Sequence, residues 1–518
     1  MESAHHWIRT RLSVMFFLAF FIYACWMVPM ASYMGKALQL SPGDIGWVYS
    51  AAAIAAIISP LFVGYVADRL FATERILAAL HLIGGAALLA GAWQTKFPGL
   101  MACMMLHTLC FMPSLALGNS LTFRNLPDAA LFPRIAMFGT IGWIVSGWIV
   151  GLVLGETKNW FFFMGGGAEI LLALYCLTLP HTPPKAREAA GDVLGLKAIS
   201  LLKDPAFLFF ILCAFLVSIP ATSYFVFINP YLMETGWYAP ATLMTLGQFT
   251  EIFVMFTMSW FIAWLGLRWI LLAGMAVWAL RFALFSMLNF PLALLGVLVH
   301  GFGYCFVYVG SYIYVDKNAP EEFRASAQSF ISFLMLGVGW FIGSQLAGVV
   351  MERYPAPIPK IAAVDAQGKP TESALPRWDP PAKAPFDIRL LFAYLGEAVA
   401  GKRTEQQRAD LGALLDKDGD GRLSVEERDL QKRQDIPEKG LTIDDKTYSR
   451  EELTKLFERI AQWKIDHGLS ASTDEPITRD DWLTVQARGW RTIWQWPAIA
   501  AAAVTVLFML SPRKRQPT

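Results

Sequence analysis

Three ionisable side chains lie within long apolar stretches of this chain of 518 residues: Glu169, Glu251 and Arg281. A charge at the centre of a bilayer costs about 2.5–3.5 kcal/mol on insertion scales, so each is a candidate for function. Glu251 is the strongest, because Gln248 stands three residues before it and shares its helix face. An amide beside a carboxylate can accept hydrogen bonds from ligand hydroxyl groups. A desolvated carboxylate can also bind and release a proton. A polar clamp between helices is the structural alternative.

An aromatic stripe on another predicted helix is a second candidate. His300, Tyr304 and Tyr308 are spaced four residues apart, which places them on one helix face. Such rings can stack on a nucleobase, for about 1–3 kcal/mol per base in nucleic-acid binders, although helix packing explains the same pattern. His300 could also carry a proton, because histidine titrates near neutral pH.

The most specific local motif is DKDGDGRLSVEE at residues 416–427. It has the spacing of a complete EF-hand calcium loop, with acids at positions 1, 3 and 5, glycine at 6 and glutamate at 12. A weaker echo at residues 448–452 lacks the preceding acids, so the sequence predicts one calcium ion. Its predicted ligands are Asp416, Asp418, Asp420, Arg422 through its carbonyl, Ser424 and Glu427.

The charged residues are unevenly distributed. They make up 16% of the chain, against about 25% in soluble domains, and 49 of the 84 lie between Met351 and Arg491. This segregation excludes a soluble enzyme, a disordered protein and a nucleic-acid binder. The net charge of +2 gives no reason to expect a polyanionic partner. The composition predicts a polytopic membrane protein with one water-soluble insert.

Twelve apolar stretches are long enough for a membrane helix, which needs about 20 residues. They are 13–34, 44–67, 75–95, 98–121, 135–156, 160–180, 205–229, 239–265, 268–288, 291–315, 325–350 and 491–511. We therefore predict an all-α polytopic membrane protein with twelve transmembrane helices in two six-helix halves, as in secondary transporters.

The same pattern gives the predicted domains. They are a first half at 1–180, a central loop at 181–204, spans 7–11 at 205–352, a proline-rich linker at 353–386, a small helical EF-hand-like insert at 387–490, and span 12 with a tail at 491–518.

Basic residues in the short connections predict the orientation. With the N-terminus inside, the inner segments hold 16 Lys and Arg residues and the outer ones hold 3. Inner loops of membrane proteins are enriched in these residues. We therefore expect both termini, and the central loop, in the cytoplasm, and residues 353–490 outside the plasma (inner) membrane.

Several short strings resemble known transporters. GYVADR at 64–69 resembles the signature between helices 2 and 3 of the major facilitator superfamily. Within that superfamily the chain resembles the nucleoside:proton symporters over all but the insert. The resemblance rests on FPRI (132–135), FGTIG (138–142), LTLPH (177–181), LRFALF (280–285) and RASAQ (324–328).

The resemblance implies a major facilitator fold and proton-coupled nucleoside import by a monomer, not an enzyme. It implies a substrate site containing Thr140, Trp143, Gln248 and Glu251, with Glu251 carrying the proton. His300 and Tyr304 join this site from the aromatic stripe. The predicted site is therefore Thr140, Trp143, Gln248, Glu251, His300 and Tyr304.

Four departures from the family pattern leave alternatives open. Ala136 and Cys305 stand where the family has an arginine and an aspartate, and Thr222 and Phe225 stand where it has amides. Ala136 and Cys305 favour a transporter of another small polar solute, a sugar or metabolite, with or without proton coupling. A non-transporting membrane sensor that uses the EF-hand as its input is a third hypothesis.

Overall fold

The computed structural model describes residues 2–69, 71–126, 128, 131–184, 196–235, 237–354, 360–364, 370–374, 414, 432, 437, 441–443, 446–455, 457–458 and 488–510. The chain divides into two compact units. The first comprises Met1–Met233, Ala239–Tyr354 and Arg491–Thr518, and the second comprises Glu234–Tyr238 and Pro355–Trp490. The predicted calcium loop at 416–427 and the side chains of the motif at 64–69 lie outside the described residues.

The first unit is a bundle of apolar helices. In chain order they are α1 (Glu2–Met27), α2 (Pro42–Arg69), α3 (Thr73–Gly91), α4 (Phe97–Asn125), α5 (Phe132–Ile149), α6 (Trp160–Cys176), α7 (Pro205–Glu234), α8 (Leu246–Leu265), α9 (Leu267–Ser286), α10 (Phe290–Leu298 with His300–Asn318), α11 (Arg324–Ser332, Phe333–Gly339 and Trp340–Arg353) and α12 (Arg488–Met509). Among the described residues, nine helices are long and apolar enough to cross a membrane. The pair in α10 is bent by 43° and makes a tenth if it counts as one span, whereas the apolar stretches Pro42–Ile58 and Trp160–Cys176 are shorter.

Several helices contain wide π-helical turns. In α10 such a turn covers Cys305–Val309, and in α11 it covers Phe333–Gly339. Each extra residue changes the direction of the side chains that follow, and such turns are frequent at functional sites. Helix α4 keeps its hydrogen-bonded course through Pro113, which membrane helices tolerate when neighbours satisfy the freed carbonyl. Helices α10, α11 and α4 all line the central cavity described below.

The two halves of the bundle meet at the end where α1 joins α2, α5 joins α6, and α7 joins α8. We call this the closed end. Ser32 Oγ lies 2.5 Å from Asn229 Oδ1, and Trp148 Nε1 donates to Thr245 Oγ1 over 3.0 Å. Glycine permits the close approach, because a Cβ on Gly147 would lie 2.6 Å from Thr245 Cγ2. The halves are thus held together by direct contact at this end.

Helices α2 and α11 continue the seam between the halves. Gln345 Nε2 donates to Ser50 Oγ over 2.8 Å. A Cβ on Gly46 would lie 2.7 Å from the carbonyl oxygen of Ser344, and one on Gly348 would lie 2.8 Å from that of Pro42. The missing side chains let the two backbones touch, which is how small residues support helix packing in membranes.

The second unit contains two antiparallel hairpins. Strand β1 (Lys360–Val364) pairs with β2 (Pro370–Ala374), and β3 (Leu441–Ile443) pairs with β4 (Lys446–Tyr448). The first hairpin lies within residues 353–386, which the sequence predicts to be a linker. Its strands are five residues long, so they leave no apolar stretch of membrane-helix length in the sequence. After β4, Ser449 Oγ accepts from Glu452 N, and Glu452 Oε2 accepts from Ser449 N. This reciprocal capping begins a helix at 450–455.

Candidate functional site

A cavity of about 720 Å³ lies between the two halves of the bundle. Small-molecule sites are usually about 300–1,000 Å³. The cavity brings together every side chain that the sequence analysis assigned to the substrate site. They are Thr140, Trp143, Gln248, Glu251, His300 and Tyr304.

Close packing of α8 against α10 positions the acidic side of the cavity. Gln248 and Glu251 lie one turn apart on α8, and both line the cavity. A Cβ on Gly301 of α10 would run into the backbone of Thr250 and Glu251, so only glycine fits there without a shift. The Gly301 N–H also donates to Thr250 Oγ1 over 3.2 Å. The bend in α10 at Val299 therefore places His300 directly against α8.

Arg281 fixes the orientation of the His300 ring. Arg281 Nη1 lies 2.8 Å from His300 Nδ1. A guanidinium group can only donate, so Nδ1 accepts and the proton of the neutral ring sits on Nε2. That N–H faces Glu251, whose Oε2 lies 3.8 Å away. The separation is too long for a direct hydrogen bond, and it leaves a polar pair that a ligand hydroxyl or a water can bridge.

Arg281 itself is fully buried and does not belong to the cavity lining. Its guanidinium carbon lies 3.8 Å from the ring centroid of Tyr224 and 4.8 Å from that of Trp278. Contacts of a cation with aromatic faces are worth about 2 kcal/mol when desolvated. Arg281 therefore has a structural role, since it contacts His300 from the side of the ring that faces away from the cavity.

Aromatic rings line both sides of the cavity. Tyr23 and Trp143 pack edge to face at 5.5 Å in the first half, and Phe225 and Trp340 lie 5.0 Å apart in the second. His300 stacks on Tyr304 at 5.6 Å. Tyr308 also follows this stripe, but its hydroxyl accepts from Trp340 Nε1 over 3.2 Å and it is absent from the described lining.

Several polar lining residues were not among the predicted site residues, although one spacing in the sequence indicates some of them. Gln328 and Ser332 lie four residues apart within the apolar stretch of α11, so they share one face. The additional polar lining residues are Tyr23, Asn119, Gln328, Ser329 and Ser332.

Cys305, which stands where the family has an aspartate, does not contribute to the cavity lining. It is fully buried in an apolar cluster with Val254 and Met258. Its Sγ points to the carbonyl oxygen of Glu251 at 3.8 Å. A cysteine here packs as a small apolar residue. The carboxylate in the described lining of this part of the cavity is that of Glu251.

Comparisons with known proteins agree with this architecture. The family model described as Nucleoside H+ symporter matches residues 7–358. The chain is 40% identical over 359 residues to the Escherichia coli (strain K12) transporter YegT, covering 66% of this chain and 84% of that protein. It is 33% identical over 370 residues to the xanthosine permease of that organism, covering 67% and 88%.

Solved structures give the same result. The crystal structure of the nucleoside transporter NupG matches with a TM-score of 0.63 at 26% identity, covering 68% of this chain and 92% of that one. This multi-span membrane chain, with its helical bundle, therefore belongs to the nucleoside H+ symporter family of the major facilitator superfamily, a family of transporters and not of enzymes.

Proposed function

We propose that this protein imports nucleosides together with protons, and that Glu251 carries the proton. The observation that supports this most directly is the arrangement of Glu251, His300 and Arg281. The Glu251 carboxylate lines the cavity 3.8 Å from one nitrogen of the His300 ring, and the other ring nitrogen lies 2.8 Å from the buried Arg281 guanidinium. The similarity to the xanthosine permease and to the nucleoside transporter NupG also supports a nucleoside as the substrate.

The cavity lining suits the two parts of a nucleoside. A planar base can stack on Trp143, Phe225 or Trp340, which approach from opposite halves. Ribose hydroxyls can donate to Glu251 and exchange hydrogen bonds with Gln248. Because each half supplies part of the lining, a bound solute contacts both halves, as alternating access requires.

The geometry favours Glu251 over His300 as the proton carrier. A proton added to His300 would go to Nδ1, where the lone pair already accepts from Arg281 Nη1 at 2.8 Å. The resulting imidazolium would face a guanidinium across a buried contact, and two like charges at that distance repel strongly. A proton added to Glu251 removes a charge from an apolar region. His300 then serves as a neutral donor beside the carboxyl group.

We also propose that the closed end faces outward and that the central cavity serves the cytoplasmic side. The support is the excess of Lys and Arg in the connections at the opposite end, 16 against 3. A cysteine placed at Ser470 in the insert should react with an impermeant maleimide in intact spheroplasts. Labelling that needs permeabilised membranes would reverse the orientation.

Residues 416–427 carry a separate proposal, which rests on the sequence alone. We propose that the insert binds one calcium ion through Asp416, Asp418, Asp420, the Arg422 carbonyl, Ser424 and Glu427. Calcium prefers six to eight oxygen ligands, and these residues supply oxygens in the order of an EF-hand. Extracellular modules bind calcium at about 10⁻⁴–10⁻³ M, which suits a structural ion better than a signal.

The transport proposal is tested by uptake into cells or proteoliposomes with an imposed proton gradient. A panel of purine and pyrimidine nucleosides is compared with sugars, with and without a protonophore. We expect concentrative uptake of at least one nucleoside that the protonophore abolishes. Uptake of a sugar alone, or nucleoside uptake indifferent to the protonophore, would support the alternative of another polar solute or of uncoupled transport.

A further inference from the structure

A second buried carboxylate lies away from the central cavity, among the helices of the first half. Glu169 of α6 is 0% exposed. Its Oε1 lies 3.3 Å from His81 Nδ1 of α3, and its Oε2 lies 3.0 Å from His107 Nδ1 of α4. Both histidines are almost completely buried. We call these three residues the triad.

The packing of α3 forces the triad together. A Cβ on Gly84 would lie 2.7 Å from Glu169 Oε1 and 3.2 Å from Cys110 Cβ. Glycine at this position therefore lets the carboxylate enter between α3 and α4. Within the part of the chain that the structure describes, no group of three or more His, Cys, Asp or Glu residues is placed to hold a metal. A carboxylate between two imidazoles can bind and exchange protons.

The hydrogen bonds define where protons sit in the triad. His107 Nδ1 lies 3.2 Å from the Gly84 carbonyl, which can only accept, so Nδ1 carries a hydrogen. His81 Nδ1 lies 3.3 Å from Glu169 Oε1 and can donate to it in the same way. With both rings neutral and Glu169 ionised, the triad holds one net negative charge in an apolar region. One further proton makes it neutral, which removes the cost of a buried net charge.

His81 also borders a small space outside the triad. A side pocket of about 50 Å³ lies among α1, α3 and α4, and His81, Ser114 and Asn119 line it. A water needs roughly 10–15 Å³ of such volume and polar partners. Phe20, Leu115 and Asn119 line both this pocket and the central cavity. His81 is therefore the member of the triad that lines the side pocket, and the three shared residues form a wall between this pocket and the central cavity. In the described residues His107 Nε2 has no hydrogen-bond partner.

We propose that Glu169, His81 and His107 form a second proton-binding site, in the first half of the transporter, that exchanges protons with the central cavity through the side pocket. The incoming proton binds Nε2 of His81, while the Nδ1–H of the same ring donates a hydrogen bond to Glu169. On release, the proton on Nε2 returns to the side pocket. Its role in transport rests on the proposed proton coupling. The sites of Glu251 and Glu169 then belong to different halves of the bundle.

The other groups that face the triad do not supply a competing charge. Cys110 of α4 lies beside Glu169, because both lie close to the position that a Cβ on Gly84 would take. The Trp26 ring packs edge to face on His107 at 5.7 Å. On α3, α4, α6 and α1, the charged group facing the two imidazoles in the described structure is therefore Glu169 itself.

The first test measures the proton-to-substrate ratio in proteoliposomes, from the membrane potential at which net flux of the transported nucleoside reverses. We expect two protons per substrate for the wild-type chain, and one for Glu169→Gln. His81→Asn should give the same loss while leaving the contact between Glu169 and His107 in place, so it serves if Glu169→Gln does not fold. Glu321→Gln makes the same chemical change at an exposed position and should keep two.

The second test does not depend on transport. Infrared titration of the purified full-length protein in lipid should show carboxylate and imidazole bands that change with pH, retained in Glu251→Gln and lost in Glu169→Gln. Three results would overturn the second site. They are a proton-to-substrate ratio of one in the wild-type chain, a ratio of two in both triad variants, and pH-dependent infrared bands that persist in Glu169→Gln. A wild-type protein that moves no protons with any nucleoside would instead refute the proposed function, and the infrared titration would still decide the triad.

Discussion

Glu156 gives the closed end a pH dependence that can be worked out from its surroundings. It lies in the connection between α5 and α6, is 4% exposed, and its Oε1 accepts from the Ala241 N–H at 2.6 Å. It therefore ties the first half to the start of the second. Burial raises the pKa of Glu156 from 4.5 to about 7, although hydrogen bonds from Ala241 and Asn229 and the charge of Lys36 offset part of the effect.

The direction of this pH dependence follows from the proton affinity of Glu156 in the closed and open states. When the end opens, water reaches Glu156 and its pKa returns towards 4.5, so the closed state binds the proton more tightly. Below that value the carboxyl is protonated in both states and closure carries no penalty. The penalty grows as pH rises, and it is complete above about 7. A difference of that size is worth about 3.4 kcal/mol, or roughly three-hundredfold in the equilibrium between closed and open states.

Glu156→Gln stays neutral and should abolish this dependence. Spin labels at Lys158→Cys and Glu352→Cys, both exposed at the closed end, report the distance between the halves, with the half-buried Cys103 replaced by serine. Between about pH 5 and about pH 8 the wild-type distribution should shift to longer distances, while Glu156→Gln should remain closed. An equal shift in both proteins, or none in the wild-type chain, would refute the reasoning. Glu321→Gln should behave as wild type.

Three further substitutions test the site and the insert. Gly301→Ala should lower the melting temperature and the uptake rate, because overpacking costs about 1–3 kcal/mol, whereas Gly167→Ala meets no atom within 4 Å and should be neutral in both assays. Arg281→Lys keeps the charge but loses the planar stack on Tyr224, so uptake should fall severalfold, and wild-type uptake would remove Arg281 from the positioning of His300. Glu427→Gln removes the predicted bidentate ligand, so the full chain in detergent should lose calcium binding at millimolar concentrations. A calorimetric signal equal to that of the wild type would contradict the EF-hand assignment.

The sequence predicts the parts of this structure that depend on local pattern. Helix length in a bilayer and the three-residue spacing of Gln248 and Glu251 are local properties, so the apolar helices and the shared face of those two residues follow directly. The family strings added Thr140 and Trp143, which the structure places in the same cavity. The calcium loop at 416–427 remains a prediction, because it lies outside the described residues.

Partners of buried charges could not be predicted in the same way. His81 and His107 come 88 and 62 positions before Glu169 in the chain, and no periodicity relates them. Their meeting depends on how α3, α4 and α6 pack, which is a tertiary property. The same holds for Glu156, which the sequence presents as an ordinary loop carboxylate and the structure buries against Ala241.

The most direct test of the central claim is the comparison of two transport modes in Glu251→Gln. The substitution keeps the size of the side chain and one acceptor oxygen, but it replaces the other oxygen with an amide donor and cannot bind or release a proton. Substrate counterflow, which needs no net proton movement, should persist in proteoliposomes, whereas proton-driven accumulation of the same nucleoside should be lost. Accumulation at the wild-type level in Glu251→Gln would show that another group carries the proton, and it would contradict the mechanism proposed for this cavity.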